Sequence, residues 1–96
     1  MTAPTMPRVL DLSALDAFCY ASFRRGDVPY FGIEKVSRSR VTIRANDKMR
    51  WTEVVFPLYP SADGPRVVLD PLRFLCAPEY VERARALFAP LLEGTL

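Results

Sequence analysis

The chain has 96 residues, half of them hydrophobic and a quarter charged, with a net charge of +2. That suffices for one core and falls short of two, which predicts a single domain over residues 1–96, with 1–10 as an extended lead-in. The lack of histidine excludes imidazole bases and His-assisted nucleophiles, and the two cysteines, Cys19 and Cys76, make no four-ligand metal set, so neither metal nor cofactor is expected.

Pro4 and Pro7 interrupt the start, which is read as extended and ending in a short edge strand near Arg8 to Leu10. A helix follows, capped by Asp11 or Ser13 with Asp16 three residues on, and stopped by Gly26. Its apolar stripe is Leu12, Leu15, Phe18, Cys19, Ser22 and Phe23, and Asp16, Tyr20 and Arg24 share another face.

Strand preferences then take over. Phe31 to Ser37, Arg40 to Ala45, Met49 to Leu58 and Arg66 to Leu69 are rich in Val, Ile, Thr and aromatic residues. Their connections are too short for parallel crossovers, which leaves an antiparallel meander. Pro71 ends the fourth run, and a linker reaches Pro78, a good first helical residue. Val81, Ala84, Leu87, Phe88 and Leu91 form the apolar face of a second helix, kinked or ended near Pro90. The order α-β-β-β-β-α predicts an α+β two-layer sandwich, a four-stranded antiparallel sheet carrying both helices on one face. Its predicted core is Leu15, Phe18, Phe23, Val41, Ile43, Leu69, Val81, Ala84, Leu87 and Phe88.

No run approaches the roughly 18 apolar residues of a membrane helix, and no basic segment leads into an apolar one at the start, which predicts a cytoplasmic protein without membrane contact. Eleven arginines against two lysines, one asparagine, no glutamine and nine prolines fit a GC-rich coding sequence or adaptation to heat. Neither identifies a function.

The charge is unevenly placed. Residues 24–50 hold eight basic and three acidic side chains, a local balance of +5, and the remainder is net −3. Such asymmetry suits a surface facing an anion or an acidic partner, although polar strands also need a solvated face. In Arg40 to Ala45, Val41, Ile43 and Ala45 point one way and Arg40, Thr42 and Arg44 the other. A two-residue turn at Asn46-Asp47 would set Thr42 opposite Trp51 and Arg40 opposite Glu53, placing Trp51 outside between Arg40 and Arg44. A three-residue loop would bury it instead.

An outward tryptophan among arginines is a contact for a second protomer, a stacking platform for a base, or an aromatic shielded by arginine stems. The scattered glycines make no phosphate loop, Glu34, Glu53 and Asp70 are read as ion-pair partners of arginines, and an enzyme is the least favoured reading. These features predict a small non-enzymatic interaction or assembly domain that acts through the outer face of its sheet. Arg38, Arg40, Arg44, Arg50 and Trp51 are its binding residues, and its partner is a second copy, as a homodimer, or another protein. The alternative is a nucleic-acid-binding protein using the same basic, Trp-containing face.

Overall fold

A computed structural model describes residues 8–26, 28–48 and 50–93. Strand β1 (Val9–Asp11) leads directly into helix α1 (Leu12–Arg25). Strands β2 (Tyr30–Val36), β3 (Arg40–Asp47), β4 (Arg50–Tyr59), β5 (Arg66–Val68) and β6 (Arg73–Cys76) follow, then a single 3₁₀ turn (Pro78–Tyr80) and helix α2 (Val81–Glu93). The chain is therefore α+β, with an antiparallel sheet in the order β1-β5-β4-β3-β2, while β6 also pairs with β4. Beyond the four-stranded sheet expected, two short strands are present among the described residues. One is the edge strand expected at the end of the lead-in, β1 beside β5, and the other, β6, comes from the segment read as a linker before Pro78.

The ten-residue β4 organises the sheet. One edge pairs with β3 from Arg50 to Pro57, and the other is shared, with β6 against Thr52 to Val55 and β5 against Leu58 and Tyr59. Pleating sends Thr52, Val54, Phe56 and Leu58 to one side, where Phe31, Val41, Ile43, Ala45 and Val67 join them in the core. Both helices contribute to that cluster, α1 through Leu15, Phe18 and Cys19 and α2 through Ala84, Leu87, Phe88 and Leu91. Phe31 links them: its ring centroid lies 5.7 Å from Phe18, edge-on, and 4.9 Å from Phe88, which in turn meets Phe74 at 6.1 Å.

Gly26 ends α1 in the left-handed conformation (φ 76°), its N–H donating to the Phe23 carbonyl. The expected side-chain cap is not made; the Asp11 carboxylate instead pairs with Arg66 of β5 at 2.6 Å. Phe23 is corrected from core to surface, at 44% exposed. At about 100° per residue it lies a quarter-turn from the centre of the Leu15, Phe18, Cys19 and Ser22 stripe. Leu69 and Val81 are half-buried rather than buried. Helix α2 runs through Pro90 to Glu93, the last residue described. Beside its last turn, the Arg8 guanidinium donates to the Leu91 carbonyl at 3.1 Å. No helix among the described residues is long and apolar enough to cross a membrane.

Candidate binding face of the sheet

The β3–β4 hairpin decides what the outer face presents. Its register is Asp47 opposite Arg50, Asn46 opposite Trp51, Arg44 opposite Glu53 and Thr42 opposite Val55. The turn therefore lies two residues beyond Asn46-Asp47, with Lys48 at φ 59°, the left-handed value that such tight turns demand. Asn46 and Asp47 stay in the strand, where both have partners. Arg44 Nε donates to Asn46 Oδ1 at 3.1 Å, and the Tyr80 hydroxyl donates to Asp47 Oδ2 at 3.1 Å.

Moving a two-residue turn by two positions preserves side-chain parity, so Trp51 still points outward, 43% exposed. Its neighbours differ from the expectation. Trp51 does not sit between Arg40 and Arg44: Arg40 lies opposite Pro57, three rungs away. Among the described residues the cation over the indole is Arg44, its guanidinium carbon 5.4 Å from the ring centroid. The same guanidinium meets Glu34 at 3.4 Å.

Arg50 takes the opposite parity. It aligns with Asp47 on the other side of the sheet, its guanidinium carbon 5.8 Å from the Tyr80 ring. Together Tyr80, Asp47 and Arg50 tie the start of α2 to the hairpin. Arg38 stands in the β2–β3 turn, where Ser37 Oγ accepts from the backbone N–H groups of Ser39 and Arg40. Of the five residues singled out from the sequence, Arg40, Arg44 and Trp51 share the outer face, Arg38 lies at its margin and Arg50 lies behind it.

The outer face also carries residues that the sequence reading did not select. Tyr30 lies across Gly32, where an added Cβ would meet its hydroxyl oxygen at 3.2 Å; glycine is what lets the ring rest on the sheet. Between β2, β3, β4 and the approach to β6 is an open concavity of about 760 Å³, lined by Lys35, Arg40, Thr42, Glu53, Val55, Leu72 and Arg73 among others. Val55 forms its floor: it is only 8% exposed, yet stands apart from the main core cluster. The Leu72 N–H donates to the Val55 carbonyl at 2.7 Å and brings the Leu72 side chain alongside. Around this apolar floor, the side chains of Lys35, Arg40, Arg73 and Glu53 form no ion pair or hydrogen bond among the described residues. Glu34 pairs with Arg44 as expected, but Glu53, opposite the same arginine, does not.

Groups suited to covalent chemistry are placed elsewhere. Cys19 is buried in the core, and burial pushes its thiol up to about 12, with the charge of Asp16 adding to the effect. Among the described residues no three of His, Cys, Asp and Glu cluster as a metal site would require. Compared with protein-family models, with curated proteins and with solved structures, the chain matches none.

Proposed function

We propose that this protein is a non-enzymatic interaction or assembly domain whose contact surface is the outer face of its sheet and whose partner is a second copy of the chain. One observation carries the reading. Uncompensated charges of both signs, Lys35, Arg40, Arg73 and Glu53, surround an apolar floor on the face that the core does not use. A surface needing both an acid and a base is complementary to itself, and two-fold dimers are the commonest closed assembly.

Two layers, with both helices on one side of the sheet, are the arrangement this reading takes, and the shared aromatic contacts of Phe31 support it. The described part of the chain measures 38 × 34 × 21 Å, a slab whose broad side has room for the roughly 800 Å² per partner of an ordinary interface. Exposed Trp51, Tyr59, Leu72 and Leu75 supply apolar area for it. The setting proposed is the cytoplasm, with no metal or membrane involved.

Sedimentation equilibrium with acrylamide quenching of Trp51 tests the reading. A dimer in which quenching increases on dilution supports it; a monomer with a freely quenched tryptophan overturns it.

The unpartnered Lys35, Arg40 and Arg73 favour a second reading, single-stranded nucleic acid on the same face, with Tyr30 and Trp51 as stacking surfaces. Affinity would then fall steeply with salt, and replacing Arg40 and Arg44 by alanine would flatten that dependence. No retention of single-stranded DNA at low salt would eliminate it.

A further inference from the structure

The outer face has an internal symmetry centred on β4. Trp51, Glu53, Val55, Pro57 and Tyr59 point outward by pleat parity. Val55 is the middle of the five. Glu53 and Pro57 stand roughly 7 Å from it along the strand, and Trp51 and Tyr59 roughly 14 Å, at about 3.4 Å per residue. The two ends carry aromatics of equal exposure, Trp51 and Tyr59 both at 43%. On the adjacent strand Thr42 lies opposite Val55, Arg40 opposite Pro57 and Arg44 opposite Glu53. The Val55 rung thus has an unpartnered carboxylate on one side and an unpartnered guanidinium on the other.

Resting on the dimer reading above, we propose that the two-fold axis of that dimer lies in the interface over the Thr42–Val55 rung. Rotation about it lays β4 antiparallel over β4 of the second copy. Trp51 of each copy then meets Tyr59 of the other, and the Val55 and Leu72 side chains meet at the centre. Arg40 of each copy lands over the other's Arg44–Glu53 rung, where Arg44 is already neutralised by Glu34 and Glu53 lacks a partner. Each Glu53 gains an arginine, twice per dimer, and the exposed aromatics at both ends of the strand are covered. Axes elsewhere along β4 lack this reciprocity: over Glu53 the two carboxylates face each other, and over Pro57 the two Arg40 side chains do.

Reciprocal charge reversal tests the axis. In its own homodimer Glu53→Arg sets two guanidinium groups against each other, and Arg40→Glu places two carboxylates together; each should weaken self-association by about a hundredfold while melting like the parent protein. Mixed in equal amounts, the two variants should re-form dimers as a heterodimer by native mass spectrometry, because both contacts then join opposite charges. Variants that stay as dimeric as the wild type, or a mixture that stays monomeric, overturn this axis and leave the dimer reading standing. A wild type that is itself monomeric removes both. Should either reversal fail to fold, Glu53→Gln and Arg40→Gln replace it: each should weaken the dimer about tenfold, with no further loss when combined, and additive losses would contradict the pairing.

Discussion

Thr52 shows how the demands of a strand can leave a single group unsatisfied. It is fully buried on the core side of β4, between Ala45 and Cys76 on the neighbouring strands, and its Oγ1 has no hydrogen-bond partner among the described residues. A buried hydroxyl without a partner costs about 1 to 3 kcal/mol. Thr52→Val, which keeps the shape, should therefore stabilise the protein by about 1 kcal/mol in urea unfolding, and a loss of stability would mean that the hydroxyl is satisfied.

Two other residues set the alkaline limit. Burial raises the Cys19 thiol to about 12, and burial together with the Asp47 hydrogen bond and charge raises the Tyr80 hydroxyl above its usual value. Both stay protonated in the folded chain where the unfolded chain has begun to ionise, at its ordinary values of 9.0 and 10.0. Folding thus has their full contribution below about pH 9 and loses it as pH rises towards the folded values. The urea midpoint should be level from about pH 7 to 8.5 and decline from about pH 9 upwards. A midpoint still unchanged near about pH 11 would show that neither group is shifted by folding.

At the scale of elements, the aromatic chain Phe18, Phe31, Phe88 and Phe74 joins both helices to the sheet. Phe18→Ala or Phe88→Ala should cost about 3 to 5 kcal/mol, a large part of the stability of so small a protein. Phe23→Ala should cost less than about 1 kcal/mol, because that ring stands outside the stripe. Equal effects at Phe18 and Phe23 would show that the helix is rotated from the position described.

The alternation of Arg40 to Ala45 is long enough to identify the strand and its buried side, and both helices have readable stripes. Strand β6 has only four residues between Pro71 and Pro78, where alternation is indistinguishable from a linker; its pairing with β4 is a long-range contact that local preference does not encode. The hairpin misled for a different reason. Asn46-Asp47 is the better local turn, but Asn46 is held by Arg44 on its own strand and Asp47 by the distant Tyr80, and the turn falls at Lys48 instead. Trp51 kept its face because parity survives that shift. Arg50 is singled out in the sequence by charge alone, and strand parity puts it behind the outer face. Glu53, Leu72 and Arg73 were missed because only the fold brings β4 and β6 together around Val55.

For the whole molecule, the two sides of the sheet do different work. One faces the aromatic and aliphatic cluster to which both helices contribute, and the other keeps four charges without a partner among the described residues and several apolar side chains at its surface. On the dimer reading, this second side is closed by another copy of the chain. The most direct measurement is the solution mass of Trp51→Glu beside that of the wild type. On this reading a dimeric wild type and a folded monomeric variant with near-normal melting are expected, because Trp51 is exposed on the outer face and lies outside the core. A variant that remains dimeric, or one that unfolds because Trp51 supports the core, would contradict it.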